Sequence, residues 1–323
     1  MTLSSLLGAL PGAMSQGLIW GIMAIGVFIT FKVLDIADLT VDGTLCTGGA
    51  VCVVLIIGGY PMWLAILLAT LAGMAAGLCT GLFHTLFGIP AILAGILTQF
   101  ALWSVNLRIL GGANQAISAD KYDLLTSLRY LGNSNIPFWK NPLVMISVFL
   151  VVVIALLYWF FGTEMGCSLR ATGANQNMAR AQGINTSFTT VLGLMLSNGM
   201  VALSGALLAQ YNGANEINVG RGAIVIGLAA VIIGDVLLGK VFRNFALKLV
   251  SVSIGAIIYY IVMQAVLAMG LNPNYLKALS ALVVAVFLSI PYWKGKYFHA
   301  SVKAGGADVS AEAEASIGGD RNA

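Results

Sequence analysis

Pro142-Leu-Val-Met-Ile-Ser-Val-Phe-Leu-Val-Val-Val-Ile-Ala-Leu-Leu-Tyr-Trp-Phe-Phe-Gly162 contains no charged side chain. A helix crossing the hydrocarbon of a bilayer needs about 20 mostly apolar residues. This run meets that need, and Pro142 opens it at a position where a missing N–H costs nothing. Outward from it, apolar runs bounded by turn or charged residues recur along the chain. They predict nine helices, at 12–31, 41–59, 62–83, 90–110, 142–162, 187–209, 222–238, 245–270 and 276–293. Pro61 and Pro90 stand at helix starts in the same way. The expected fold class is an all-α polytopic membrane protein with about nine spans, within a range of eight to ten.

Composition says the same. Of 323 residues, 59% are apolar and 9% charged, where a soluble domain carries roughly a quarter charged. The mean hydropathy is +0.94. A water-soluble chain of this size has no way to hide so much apolar surface, which excludes a soluble enzyme, a secreted disulfide scaffold and a nucleic-acid binder. The 16 Lys and Arg residues are scattered at the ends of apolar runs and form no phosphate-binding patch. Cys46, Cys52, Cys79 and Cys167 include no CxxC pair and read as small apolar fillers. The N-terminus has no basic n-region, so the first apolar run is expected to be retained as a span. Residues 1–293 then form one transmembrane domain, and 294–323, rich in Ala, Gly, Ser and Glu, a cytosolic tail expected to be disordered.

Charge gives a direction. Lys240, Arg243 and Lys248 follow the seventh run, and Lys294, Lys296 and Lys303 follow the ninth. Two spans separate the groups, so both lie on one side, the cytosol. Counting back makes the loop 163–186 cytosolic as well. The stretch 111–141, with a short helix expected near Tyr122–Leu131, is then external despite Lys121, Arg129 and Lys140. Gly73, Gly77 and Gly81 make two GxxxG steps on one face, the mark of tight packing between helices in lipid, here expected within the subunit.

No P-loop, HExxH, GxSxG or His/Cys cluster occurs, so neither catalytic nor metal-binding residues are expected. His84 and His299 read as interfacial. Two polar stretches stand out. In Lys32-Val-Leu-Asp35-Ile-Ala-Asp38-Leu-Thr40-Val-Asp42-Gly43, three carboxylates would share one helix face. Each unpaired charge at the bilayer centre costs about 2.5–3.5 kcal/mol even on the lenient scale. They are expected near an interface, facing water, or capping. Asp38 and Thr40 are candidate caps of the second span and Asp42 a cap or interface residue, while Lys32 can pair with Asp35. A cation or proton site is the alternative. In the second stretch, Gly166 to Asn185, Asn175 caps a short helix through Gln182, and Gly183 fits the left-handed stop. A two-turn helix persists only if it packs on something, so it is either an idle turn or a docking element for a soluble partner.

At these two stretches a resemblance is plain. Arg170-Ala-Thr-Gly173-Ala-Asn175, with Ala179-Arg180 and Gly183-Ile184-Asn185, resembles the coupling-helix signature of ABC importer permeases of the branched-chain amino acid/ribose class. Asp38-Leu-Thr-Val-Asp42-Gly43, leading to Gly48-Gly49-Ala50, is similar to that family's DLSVGS…GA entry into its second helix, with Asp42 where Gly is usual. The likeness runs through about residues 12–293. The wording DLTVDG and the short N-terminus resemble the subgroup served by tryptophan/tyrosine-type binding proteins.

The resemblance implies a type II importer fold and a permease that is not itself an enzyme. It implies docking of a cytosolic ATP-binding subunit, in two copies, on Arg170, Asn175, Gln176, Asn177, Met178, Ala179, Arg180, Gln182 and Gly183. ATP and Mg would sit on that subunit, with no cofactor in this chain. An extracytoplasmic binding protein would deliver the solute, an amino acid and by subgroup an aromatic one, to a permease dimer, expected to be of identical copies. From the residues themselves, Gln16, Gln99, Asn106 and Asn198 are the candidate path-lining amides among the polar residues within spans. The external loop Gln210–Arg221, with Asn212, Asn215, Glu216 and Arg221, offers charge to the binding protein. The rivals are a proton- or ion-coupled carrier using Asp35, Asp38 or Asp42, and a sugar permease of the same class.

Overall fold

The computed structural model describes residues 3–118, 121–122, 124–130, 141–239, 241–242, 244–268, 278, 280–287 and 289. With no water in a bilayer core, every backbone group must be satisfied inside its own segment, and only helices do this for a single chain run. Among the described residues, besides a helical stretch at 280–287, ten follow in order: α1 (Leu3–Phe28, extended by a π-helical turn Ile29–Val33), α2 (Val41–Ile57), α3 (Met62–Thr85), α4 (Ala91–Leu110), α5 (Pro142–Gly162), α6 (Glu164–Ala174), α7 (Gln176–Ala181), α8 (Thr186–Asn212), α9 (Ala223–Leu238) and α10 (Phe245–Ala268).

Six helices among the described residues are long and apolar enough to cross a membrane, those at Leu10–Val33, Met62–Thr85, Ala91–Leu110, Pro142–Gly162, Thr186–Asn212 and Phe245–Leu267. The helices at Val41–Ile57 and Ala223–Leu238 are apolar but shorter. Eight of the nine expected runs are therefore helical. Of the ninth, 276–293, residues 280–287 are helical and both ends lie outside the described residues, as does the tail 294–323. Where a helix is expected near 122–131, the described residues form a 3-10 turn at Leu128–Tyr130, and the expected loop 163–186 contains a further helix, α6. The fold also departs from all-α in one detail. β1 (Asn114–Ala116) and β2 (Ala214–Glu216) pair antiparallel with Asn114 opposite Glu216, tying the chain after α4 to the chain after α8.

The bundle is built around α8, buried along most of its length. Gly73, Gly77 and Gly81 of α3 lie directly on it: a Cβ at Gly77 would strike the Leu194 carbonyl, and one at Gly73 the Asn198 carbonyl and Ala202. The small-residue stripe thus seats one helix on another within the chain. Gly48 of α2 meets Ala202 in the same way, and Gly205 of α8 meets Leu45. α1 and α10 run antiparallel, Gly17 against Ile257 and Phe28 against Phe245.

These contacts define two ends. α6, α7, the start of α8, the end of α9 and the start of α10 share one. The β ribbon marks the other. α2 and α9 do not run from end to end. Thr44, in the first turn of α2, lies beside Asn198, midway along α8, and Gly227, in the first turns of α9, lies against Val27 of α1, beside the Gly26–Ser197 contact. Both helices therefore begin inside the bundle, α2 heading for the ribbon and α9 for the α6–α7 end.

Candidate functional site

The chain reaches the start of α2 through a π turn and an irregular stretch, residues 34–40, in which Asp35 takes a left-handed φ of 56°. Irregular backbone at membrane depth is tolerated where protein buries it. Here the buried side chains of Leu34, Ile36, Asp38 and Thr40 alternate with more exposed ones. Asp38 is 2% exposed. Its Oδ1 accepts from the Thr40 backbone N–H at 2.9 Å and its Oδ2 from Asn198 Nδ2 at 2.7 Å. Asn198 Nδ2 also donates to Leu194 O at 3.0 Å, and its Oδ1 accepts from Thr44 Oγ1 at 2.7 Å. Thr40 Oγ1 lies 2.7 Å from Thr80 Oγ1, which donates to Thr98 Oγ1 at 2.9 Å. One buried polar chain thus ties α2, α3, α4 and α8.

Three expectations change here. Asp38 lies deep in the bundle and not near a surface, because its bonds to Asn198 and to the turn opening α2 replace the water it would otherwise need. Thr40 occupies the N-cap position of α2 without a side-chain cap bond, its hydroxyl being turned to α3. Lys32 pairs with Asp235 of α9 at 3.1 Å and not with Asp35, since the π turn aims it toward α9.

Asp42 works across the fold. Its Oδ2 accepts from the Gly222 N–H and its Oδ1 from the Ile224 N–H, both at 2.9 Å. A carboxylate from α2 therefore caps the N-terminus of α9, whose own Gly222, at φ 85°, has no side chain to offer. A glycine at position 42 would leave this helix start uncapped.

Beside Asp42 opens a cavity of about 480 Å³ lined by Gln99, Phe100, Trp103, Asn106, Ile217 and Arg221, with Gly43 and Cys46 at its wall. Two of the four expected path residues, Gln99 and Asn106, meet in it. Asn106 Nδ2 donates to Gly43 O at 3.2 Å, and its buried Oδ1 makes no hydrogen bond among the described residues. The other two do not join them. Asn198 is fully buried in the polar chain described above, and Gln16 is half-buried near the ribbon end of α1. Phe100, 72% exposed, and Trp103 add an aromatic rim that amide counting misses. The signal was present in Gln99-Phe100-Ala-Leu-Trp103, where two aromatics three apart share a helix face with the amide.

At the opposite end Asn175 Oδ1 accepts from the Met178 N–H at 3.0 Å, capping α7, and Gly183 takes φ 82° after the C-cap Gln182. Ala179 is buried, and Arg180 Nε donates to Thr186 Oγ1 at 2.8 Å, which pins α7 to the first turn of α8. Gln176, Asn177 and Met178 project outward, Met178 at 63% exposure with exposed Phe188 nearby in sequence. Arg170 is on α6 and turns back to the bundle, donating to Phe161 O at 3.1 Å. At the ribbon end Asn212 and Glu216 are exposed, whereas Asn215 is buried and donates to Cys46 O at 3.2 Å, and Arg221 opens on the cavity. Among the described residues no group of three His, Cys, Asp or Glu could hold a metal ion.

Comparison with known proteins agrees with this architecture. A tyrosine transport system permease protein of Clostridioides difficile is 37% identical over 276 residues, 85% of this chain and 89% of that protein. A fructose import permease of Bifidobacterium longum is 25% identical over 77% of this chain and 68% of its own length. The solved structure of PsaBC from Streptococcus pneumoniae in complex with a Fab shares the fold, with a TM-score of 0.53 at 16% identity, over 92% of this chain and 98% of that one. The family model described as the permease component of the branched-chain amino acid transport system matches residues 10–288. This multi-pass membrane chain belongs to that permease family.

Proposed function

We propose that the chain forms the solute path of an ATP-driven importer and carries a small solute, an amino acid and by preference an aromatic one. The observation that carries the reading is α7, a capped and pinned helix of six residues with an outward face, Gln176, Asn177 and Met178, that no described residue covers. A soluble ATPase, holding ATP and Mg itself, docks there on the cytosolic side. Differential packing of α7 in two states of an ATPase pair biases the bundle between outward- and inward-open forms. A binding protein delivers solute at the ribbon end, where Asn212 and Glu216 are exposed.

The choice of solute rests on the cavity. Amides at Gln99 and Asn106, Arg221, and the rings of Phe100 and Trp103 suit a zwitterion with a flat apolar side chain. The tyrosine permease likeness supports the same choice. Phe100 and Trp103 stand on the open side of α4, which supports a second copy of the chain closing the path. A sugar is the second reading, favoured by the fructose permease relative.

Reconstitution with the ATPase and binding protein tests it. Arg180→Glu should lower ATP-driven uptake by about 5–150-fold, the usual span of a coupling energy, with the bundle still folded. Normal uptake by that variant overturns the docking assignment. Binding by the delivery protein of a sugar and no amino acid overturns the substrate.

A further inference from the structure

We propose that the groove between α1, α6, α9 and α10 at the α6–α7 end binds one anionic phospholipid, headgroup and upper acyl chain together. The groove is a cavity of about 400 Å³ lined by Lys32, Arg170, Lys248, Asp235, Phe28 and Phe245, with backbone from Val33, Gly173 and Ala174. Three cations face one carboxylate. Lys32 and Asp235 pair at 3.1 Å, and among the described residues no other carboxylate lines the cavity, so Arg170 and Lys248 leave a local excess of two positive charges there.

Arg170 does not spend its charge on a partner carboxylate. Its Nη2 donates to the Phe161 carbonyl at 3.1 Å and to Cys167 Sγ at 3.3 Å, and the guanidinium lies over the Phe245 ring at 5.8 Å. Lys248 sits in the first turn of α10, where a cation opposes the helix dipole. An anion in the groove would relieve that opposition and match the donors still open on Arg170.

Continuity with a second cavity selects a lipid over a free phosphate. Arg170 and Phe245 also line an adjoining space of about 570 Å³ walled by Tyr158, Trp159, Phe161 and Gly162. Trp159 is 71% exposed and Tyr158 50% exposed, at the end of α5 where a span meets the headgroup region. A soluble anion uses the basic half alone. A lipid phosphate in the basic half, with its glycerol and first methylenes along the aromatic wall, uses both. Basic pockets between spans are suited to anionic headgroups, and occupancy would tie α6, next to the docking loop, to α1 and α10.

The test uses the full-length protein, delipidated in a neutral detergent, and needs no ATPase, so its outcome is separate from that of the transport reading. Native mass spectrometry and thermal melts are run with phosphatidylglycerol, phosphatidylcholine of the same chains, and inorganic phosphate. The expected result is at least about tenfold tighter retention of phosphatidylglycerol than phosphatidylcholine, roughly 1.4 kcal/mol, with no effect of inorganic phosphate at matched concentration. Lys32→Gln with Lys248→Gln should abolish the preference, whereas Lys121→Gln at the ribbon end should keep it. Equal retention of the two lipids, or a preference surviving the double substitution, overturns the proposal. Displacement by inorganic phosphate at matched concentration overturns the lipid in favour of a free anion. Should the double variant fail to fold, the lipid and phosphate comparison on the unaltered protein still decides.

Discussion

Asp38 and Asp42 lie one helical turn apart in sequence and do different work in the fold. Asp38 accepts from Thr40 and Asn198, and Asn198 is itself fixed by Leu194 and Thr44. Asp38→Asn would set an amide N–H₂ against that of Asn198. Rotating Asn198 to escape this would press its oxygen on the Leu194 carbonyl. The substitution is therefore expected to destabilise the protein by about 1–3 kcal/mol, the cost of an unsatisfied buried polar group, read as a lower melting temperature in detergent. Uptake by the surviving fraction should still follow ATP turnover, and a loss of gradient-driven uptake instead would favour the carrier reading. Asp42→Ala removes both acceptors from the start of α9 and should cost about 1–2 kcal/mol, and Asp42→Asn should also lower the melt, because its one amide oxygen caps a single N–H while its N–H₂ faces the other. Comparing the two melts against the unaltered protein checks the cap, and an alanine variant as stable as the parent would dismiss it.

At the scale of elements, the seating of α3 on α8 depends on glycine. Gly77→Ala forces its Cβ into the Leu194 carbonyl, and backbone has no rotamer to yield. An overpacking cost of about 1–3 kcal/mol is expected. Gly162→Ala, where nothing lies within 4 Å, should leave the melt unchanged. Equal melts for the two variants would refute the close approach. α7 is held by Ala179 and by Arg180 on Thr186. Met178 holds nothing in the bundle and is expected to matter to the partner alone. Met178→Glu should leave the melt unchanged and weaken co-purification of the ATPase.

For the molecule as a whole, the start of α2, one face of α4 and the chain before α9 line the cavity that Arg221 borders, while Asn198 is fully buried in the polar chain on α8. With the native cysteines replaced, Arg221→Cys should react with a membrane-impermeant thiol reagent at least about tenfold faster than Asn198→Cys, because only an accessible thiolate is a nucleophile. Comparable rates would mean that the path runs through the polar chain on α8 and not through the cavity on α4.

Much of this was legible in the chain. Runs such as 142–162 force helices because lipid offers the backbone no partner. Asn175 and Gly183 mark α7 through cap chemistry that acts within a few residues. Gln99 and Asn106 could be picked out as amides in a span. Depth was not legible. Asp38 reads as interfacial because local sequence shows an unpaired acid, while the Asn198 amide that helps make its burial tolerable is 160 residues away on α8. Lys32 finds Asp235 and Asp42 finds the start of α9 for the same reason. Periodicity and capping are short-range and were written in the sequence. Which acid meets which donor, and which amide faces the cavity, depended on how α2, α8 and α9 pack, because a buried charge is stable only where distant segments bring their dipoles to it.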